Sequence, residues 1–240
     1  MPHKTELHPD VVERILQRRG KMHIHDALDP GRTALVVVDM QVAFMAPGKP
    51  SEVPMARAIV PNVNRLAAAL RARGGLVVWV LNTFTDAVFE DWSSFLGGTY
   101  GGAISKQIVE NLKEGSDGHR LWPELAAAPG DLTVRKNRFS AFLPGASDLE
   151  ARLRERGIDT VIIVGTLTNV CSESSARDAM MRNFHVVFVA DANATYTDAI
   201  HNASCNSLAI TFVDLMTTDE VIARLGAPAA AAGAAKAAAE

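Results

Sequence analysis

The chain has 240 residues, of which 48% are hydrophobic, and its formal net charge is -3 at pH 7. Such a chain can bury the core of one α/β domain, and its weak negative charge gives no basic surface for nucleic acid or anionic lipid. A small molecule is therefore the expected partner.

Two cysteines, Cys171 and Cys205, are too few for a disulfide framework or a thiolate zinc site, which favours a reduced, cytoplasmic setting. Residues 1–21 carry charge throughout, where a signal peptide would have an apolar core. No apolar run of the sequence approaches the roughly 20 residues needed to span a bilayer. We expect a soluble, cytoplasmic protein that is not exported and does not bind membranes.

Residues 1–30 are predicted to form an arm that covers the domain or a neighbouring subunit. The arm contains a short helix from Val11 to Arg18. Its apolar stripe comprises Val12, Ile15 and Leu16. His23 and His25 would share one face of a strand and so offer two metal ligands, but no further ligand cluster is near them, and exposed arm histidines are the more common case.

Three apolar runs are typical of strands buried on both faces of a parallel sheet, and a polar side chain stands at the end of each. The runs are Thr33 to Asp39, Leu76 to Leu81 before Asn82, and Leu132 to Lys136. The carboxyl ends of such strands are where α/β folds form ligand crevices. Taken alone, Asp39 would equally fit a turn or a helix cap.

The segments around these strands are less regular. Prolines and a glycine predict a loop at Phe44 to Pro54, and the apolar period of Ala56 to Arg73 predicts a helix. Thr83 to Leu121 mixes aromatic side chains with glycines, which suits a lid or substrate wall; closure of the core or of a subunit contact is the alternative. Trp122 to Pro129 is predicted to be a short helix.

The stretch TVIIVGTLTNVCSESSARDA, from Thr160 to Ala179, predicts a buried strand that delivers Cys171 to the N-terminus of a helix. The helix dipole at that position favours the thiolate, so Cys171 is the candidate nucleophile. Cys205 is expected to pack as a small apolar side chain within a helix.

Further elements continue the alternation of helix and strand. They are helices at Asp148–Arg156, Asp198–Phe212 and Thr218–Leu225 and strands at Phe184–Asp191 and Phe212–Leu215. This alternation predicts an α/β fold with a doubly wound, mainly parallel sheet and helices on both faces, in one domain at residues 31–226. Residues 227–240 are of low complexity and are expected to be frayed or disordered.

Asp39, Lys136 and Cys171 are expected to converge at the carboxyl edge of the sheet. A thiolate attacks a carbonyl carbon, a nearby carboxylate moves protons, and a lysine stabilises the thiolate and orients the acid. The positive charge of the lysine is expected to keep Asp39 ionised and to lower the pKa of Cys171.

Three segments carry a family resemblance. The motifs VVVDMQ around Asp39, KNRFSAF around Lys136 and GTLTNVCSESSARDA around Cys171 resemble those of the isochorismatase-like cysteine hydrolases. That family includes nicotinamidases, N-carbamoylsarcosine amidohydrolase, biuret hydrolase and ureidoacrylate amidohydrolase. The resemblance covers roughly residues 30–225 and implies the family's Rossmann-like three-layer fold and a homo-oligomer.

The resemblance also implies a role for individual residues. Cys171 would be the nucleophile, Asp39 the general base and acid, and Lys136 the third member of the triad. A cis peptide bond is expected between Thr166 and Leu167, turning the Leu167 N–H inward to form an oxyanion hole with the Cys171 N–H. The expected substrate contacts are Gln41, Asn82, Phe139 and Thr166. For Asn82 a structural role in the loop is the alternative, and Phe139 replaces a tyrosine of the relatives.

Departures from the family narrow the expected chemistry. Members of the family that use a metal have an Asp-x-His cluster after the second strand. Here the second strand is followed by Asn82 and no histidine is close to it in sequence, since the nearest candidate, His119, is distant. We therefore expect no metal and no cofactor. Isochorismatases proper lack the cysteine, so Cys171 favours hydrolysis of a C–N bond. The expected substrate is a small ureido, carbamoyl or amide compound, with motifs closest to the ureidoacrylate and N-carbamoyl amidohydrolases.

Three arginines, Arg135, Arg138 and Arg177, would suit a substrate carboxylate, but a surface or scaffold role is the more common one. A catalytically inactive scaffold or binding protein is the alternative function, which the intact triad argues against. A thiol redox enzyme would need a nearby resolving cysteine, and the sequence has no C-x-x-C.

Overall fold

A computed structural model describes residues 1–226, and the predicted low-complexity tail at residues 227–240 lies outside the described residues. Six strands form one sheet. They are β1 (Thr33–Val38), β2 (Leu76–Asn82), β3 (Leu132–Lys136), β4 (Thr160–Thr166), β5 (His185–Ala194) and β6 (Asp214–Met216). The order across the sheet is β3-β2-β1-β4-β5-β6, and every neighbouring pair is parallel. The predicted doubly wound α/β fold is confirmed.

Helices cover both faces of the sheet. They are α1 (Pro9–Arg19), α2 (Val42–Met45), α3 (Ala56–Arg71), α4 (Val88–Asp91), α5 (Ser93–Gly98), α6 (Gly102–Leu112), α7 (Leu149–Glu155), α8 (Glu173–Met181), α9 (Asp198–Thr211) and α10 (Thr218–Arg224). Side chains of β1 alternate between two cores: Leu35 packs with α3 and α10, and Val36 packs with α7, α8 and α9. Burial on both faces is the reason that the sequences of β1 and of its neighbours β2 and β4 are almost entirely apolar.

The N-terminal arm packs on its own domain. Val11 and Ile15 of α1 are buried against Ala209 of α9, whereas Leu16 is 44% exposed. The predicted stripe was therefore wrong in including Val12 and Leu16, because the i, i+4 pair that faces α9 begins at Val11. No helix within residues 1–226 is long and apolar enough to cross a membrane.

The segment Trp122 to Pro129 is not the predicted helix but a series of turns. Its own main-chain hydrogen bonds are those of short turns, such as the Leu125 N–H to the Trp122 carbonyl at 3.1 Å, and side chains satisfy other main-chain groups. Asn64 of α3 accepts from the Ala126 N–H at 2.8 Å and donates to the Glu124 carbonyl at 2.8 Å. The Ala128 N–H donates to Asp131 at 2.9 Å.

Three other boundaries differ from the sequence prediction. The last strand begins at Asp214 rather than at Phe212, and the predicted loop at Phe44 to Pro54 begins within α2. The strand that was expected to end at Asp191 continues to Ala194 through an irregularity in its pairing with β4. Asp191 faces a helix instead of the ligand edge, and its carboxylate accepts from the Thr218 N–H at 2.7 Å.

Candidate active site

The predicted catalytic residues lie at the point where the strand order reverses. From β1 the chain moves outward through β2 to β3 and then crosses to β4 on the other side of β1. A crevice opens at the carboxyl ends of β1 and β4 in such sheets. Asp39 follows β1 and Cys171 follows β4, so the two side chains meet across this crevice.

Asp39 and Lys136 form a buried ion pair. Lys136 ends β3, two strands and therefore roughly 10 Å from β1, a gap that its side chain and that of Asp39 cross together. Its Nζ donates to Asp39 Oδ2 at 2.8 Å and to the Arg138 carbonyl at 3.0 Å. Neither residue is more than 1% exposed. Asp39 Oδ1 has no hydrogen-bond partner among residues 1–226 and is free to take a proton.

Cys171 lies in a π-helical turn, Thr168–Ser172, that continues directly into α8. The turn is closed by the Ser172 N–H, which donates to the Leu167 carbonyl at 3.1 Å. The thiol is 3% exposed, interacts with both Asp39 and Lys136, and lines a cavity. The geometry therefore joins the three predicted triad residues in one buried cluster.

The protonation states of this cluster differ from the prediction. Burial raises the pKa of the Cys171 thiol, the charge of Asp39 adds to the effect, and Lys136 opposes it. Burial also raises the pKa of Asp39 despite Lys136. Burial lowers the pKa of Lys136, but the charges of Asp39 and Cys171 outweigh it and raise that pKa. The prediction of a lowered pKa for Cys171 was wrong, since desolvation and a neighbouring carboxylate exceed the effect of the lysine.

The resting site therefore contains a neutral thiol beside an Asp39–Lys136 ion pair. A thiolate added to an ionised Asp39 would leave one excess negative charge in a dry site. Transfer of the thiol proton to Asp39 avoids that charge and leaves a thiolate paired with Lys136. A carboxylate whose pKa is raised is also a stronger base for this transfer.

The peptide bond between Thr166 and Leu167 is cis, as the resemblance implied. The Leu167 N–H takes part in none of the main-chain hydrogen bonds found within residues 1–226, which leaves it available to a ligand. Gly165, just before this bond, has φ +121°, and a Cβ there would lie 2.1 Å from the Val38 carbonyl oxygen. Only glycine allows β4 to approach β1 so closely beside Asp39.

Of the predicted substrate contacts, Asn82 and Phe139 line the cavity, whereas Gln41 and Thr166 do not. The amide of Gln41 is bonded on both sides: Nε2 donates to the Asn82 carbonyl at 3.1 Å and Oε1 accepts from the Asn82 N–H at 2.7 Å. Thr166 is fully buried. Both residues lie outside the cavity lining, and Gln41 fixes the position of Asn82.

The cavity extends from Cys171 and has a volume of about 350 Å³. The segment at residues 83–121 supplies Phe84, Phe95 and Tyr100 to its wall, and Phe84 is also 2% exposed within the core. This segment therefore forms part of the cavity wall and also closes part of the core, as the two alternatives predicted. Phe44 and Tyr196 also line the cavity and were missed. Each lies five residues after an acid, Asp39 or Asp191, that ends a predicted strand, and that proximity is the signal that could have identified them.

Histidines that seemed remote are packed within the fold. His119 Nε2 lies 2.7 Å from Thr83 Oγ1, so it is close to the second strand in space. His23 lies between Asp214 at 3.0 Å and Glu220 at 3.1 Å and ties the arm to the domain. Within the described part of the chain, no three His, Cys, Asp or Glu side chains come together as metal ligands.

The fold and the site together define a class: a three-layer α/β protein with a buried cysteine, aspartate and lysine at the switch point of a parallel sheet. The family model described as isochorismatase domain matches residues 33–220. The chain therefore belongs to the isochorismatase family, a family of hydrolases.

Individual relatives agree with this assignment. The ureidoacrylate amidohydrolase RutB of Methylobacterium radiotolerans is 30% identical over 218 residues, which are 85% of this chain and 84% of that protein. A cysteine hydrolase from Pseudomonas syringae pv. phaseolicola superposes with a TM-score of 0.72 at 28% identity, covering 85% of this chain and 97% of the other. An N-carbamoylsarcosine amidase from Thermoplasma acidophilum superposes with a TM-score of 0.62 at 26% identity, covering 78% of this chain and 97% of the other.

Proposed function

We propose that this protein is a cysteine-dependent amidohydrolase that cleaves a C–N bond of a small amide, ureido or carbamoyl substrate through a thioester. The observation that carries the proposal is the buried Lys136–Asp39 pair, 2.8 Å between Nζ and Oδ2, beside the Cys171 thiol at the cavity. Relatives that act on ureidoacrylate and N-carbamoylsarcosine support the same bond class.

The acylation half of the reaction begins with transfer of the thiol proton of Cys171 to Asp39 Oδ1. The sulfur lone pair attacks the carbonyl carbon, and the C=O electron pair moves to the oxygen, where the Leu167 and Cys171 N–H groups receive the negative charge. The tetrahedral intermediate collapses, the C–N bond breaks, and the leaving nitrogen takes the proton from Asp39. Ammonia or an amine departs, and the acyl group remains as a thioester on Cys171.

Water completes the reaction. Asp39 accepts a proton from a water molecule, whose oxygen attacks the thioester carbon. The C–S bond then breaks, and the departing sulfur recovers the proton from Asp39. Lys136 remains protonated throughout, because its charge compensates first the carboxylate and then the thiolate. For a primary amide the sum is amide plus water giving a carboxylic acid and ammonia.

The test is an ammonia-release screen over ureidoacrylate, N-carbamoyl amino acids, biuret, nicotinamide and short aliphatic amides. Cys171→Ala and Cys171→Ser should abolish turnover while the far-ultraviolet circular dichroism spectrum stays unchanged. Cys205→Ala is the matched control, because Cys205 is equally buried but lies in α9 and does not line the cavity. Activity that survives Cys171→Ala would refute the proposal, and no release from any compound would favour the scaffold alternative.

A further inference from the structure

The cavity beside Cys171 is lined by uncharged side chains. Of the fifteen residues that line it, none is an aspartate, glutamate, lysine, arginine or histidine. Its apolar lining includes Phe44, Phe84, Phe95, Ile108, Leu112 and Phe139. The volume of about 350 Å³ is at the small end of the range for ligand pockets. The cavity thus fits a small ligand with an apolar body.

The aromatic part of the wall is already assembled. The Phe139 ring lies 4.7 Å from that of Trp92 and 4.9 Å from that of Phe95, both at edge-to-face angles. Phe95 packs in the same way on Tyr100 at 5.2 Å. Such pairs hold each other in place, so the wall does not need to rearrange to receive an apolar group.

Nearby cations are engaged elsewhere. Arg138 Nη2 donates to the Asp91 carbonyl at 3.0 Å, and its guanidinium lies 5.1 Å from the centre of the Trp92 ring. Arg177 is 2.6 Å from Glu173, and Arg135 pairs with Glu114. None of these arginines lines the cavity. The sequence alternative that gave them surface or scaffold roles is therefore the correct one.

One buried polar group does face the cavity. Asn82 is 4% exposed, lines the cavity, and its Oδ1 has no hydrogen-bond partner within residues 1–226. Gln41 fixes its main chain through two hydrogen bonds. A buried acceptor without a partner is costly unless a ligand donates to it. The N–H of a substrate amide is a suitable donor.

We propose that the substrate is a small uncharged amide with an apolar acyl group, aryl or alkyl, whose nitrogen donates to Asn82 Oδ1. This inference rests on the cysteine hydrolase function proposed above and narrows its substrate class. Ureido and carbamoyl acids, which carry a carboxylate, are poor substrates, because their charge would be buried without a partner. The expected penalty is about 100-fold or more in kcat/KM.

Matched pairs of primary amides test this inference. Hexanamide is compared with 6-amino-6-oxohexanoate, and benzamide with 4-carbamoylbenzoate, so that each pair differs by one carboxylate. Ammonia release by the wild-type protein should favour the neutral member by about 100-fold or more in kcat/KM. Equal or better turnover of the charged members, lost in Cys171→Ala, would overturn the inference and leave the proposed hydrolase function intact.

A binding measurement separates failure of the inference from failure of the function. Calorimetric titration of the Cys171→Ala protein should show binding of hexanamide and benzamide and none of their charged counterparts. This result would support the inferred ligand class even if the wild-type protein released no ammonia. In that case only the proposed hydrolase function would be refuted. Absence of binding by both neutral amides would overturn the inference.

A gain of specificity provides the third test. Thr99 lines the cavity and is exposed, so Thr99→Lys places a cation at its rim. This variant should raise kcat/KM for 6-amino-6-oxohexanoate relative to hexanamide by about 10-fold or more. Ser94→Lys is the matched control, because Ser94 is exposed on α5, the helix that ends just before Thr99, but does not line the cavity. An unchanged ratio in Thr99→Lys, or an equal change in the control, would count against the inference.

Discussion

Replacement of Lys136 by methionine isolates the contribution of the buried ion pair. The change keeps the length and apolar character of the stem but removes the ammonium group that lies 2.8 Å from Asp39 Oδ2. Asp39 is fully buried, so its carboxylate would be left without a compensating charge. Removing one partner of a buried pair typically costs about 3–5 kcal/mol of stability. Ammonia release should also fall by about 100-fold or more.

The pH dependence of this loss follows from the pKa of Asp39. Burial already raises that pKa in the wild-type protein, and loss of Lys136 raises it further. A group whose pKa is higher in the folded than in the unfolded state favours folding fully below the unfolded value, near 3.9 for aspartate, and loses that contribution as the pH rises. Each pH unit between the two pKa values costs about 1.4 kcal/mol. Because the wild-type protein already carries part of this cost, the deficit of Lys136→Met relative to the wild-type protein should be small near pH 4 and should grow with pH to about 3 kcal/mol or more at pH 7.

Urea denaturation between pH 4 and pH 8 measures this deficit. Lys113→Met is the control, because Lys113 forms ion pairs with Asp86 and Glu110 whose carboxylates are largely exposed, and it should cost about 1 kcal/mol or less at every pH. The double variant Asp39→Asn, Lys136→Met should be more stable than Lys136→Met at pH 7, since it removes the uncompensated charge. A deficit that is equal at pH 4 and pH 7, or below about 1 kcal/mol at pH 7, would refute this account.

Three further changes test other parts of the structure. Gly165→Ala should lower the stability measured in urea by about 3 kcal/mol or more, because its Cβ would lie 2.1 Å from the Val38 carbonyl oxygen. Gly145 also has a positive φ but a Cβ there meets open space, so Gly145→Ala should cost only about 1–2 kcal/mol. Equal losses in the two variants would contradict the close approach of β4 to β1. Gln41→Leu should reduce stability by about 1–3 kcal/mol and also reduce kcat/KM, since the main chain of Asn82 loses its two hydrogen bonds to Gln41. Unchanged kinetics would show that Asn82 keeps its position without these hydrogen bonds. Burial lowers the pKa of His201 to about 4 from 6.5, so this residue favours folding above pH 6.5 and loses that contribution, about 3 kcal/mol, as the pH falls towards 4. His201→Gln should therefore flatten the dependence of urea-derived stability on pH between 4 and 6.5. An unchanged slope would exclude His201 as its source.

Much of the fold could be predicted because parallel strands buried on both faces have uninterrupted apolar sequences. The strands that contain Leu35, Val78 and Ile162 were all located in this way. Prediction failed where a side chain from another element satisfies main-chain groups of a segment, as Asn64 does for Glu124 and Ala126. Such long-range contacts leave no periodic signal in the segment that they hold.

The catalytic cluster was predictable for a different reason. Topology brings the carboxyl ends of parallel strands together, so polar residues at those ends identify a site without knowledge of the packing. The electrostatics did not follow from the same reasoning, because the pKa of Cys171 depends on how deeply the thiol is buried and on its distance from Asp39. The apolar cavity was equally unpredictable, since its wall combines Phe44, Phe139 and Tyr196 from three separate segments.

Direct detection of the covalent intermediate tests the central claim, that Cys171 forms a thioester during hydrolysis. The protein is mixed with a substrate amide found in the screen, quenched in acid within the first turnovers, and analysed by intact and peptide mass spectrometry. We predict a mass increase equal to the acyl group, located on the peptide that contains Cys171, labile to hydroxylamine, and lost in Cys171→Ala. Full turnover without any such adduct, or an adduct on Cys205, would contradict the account.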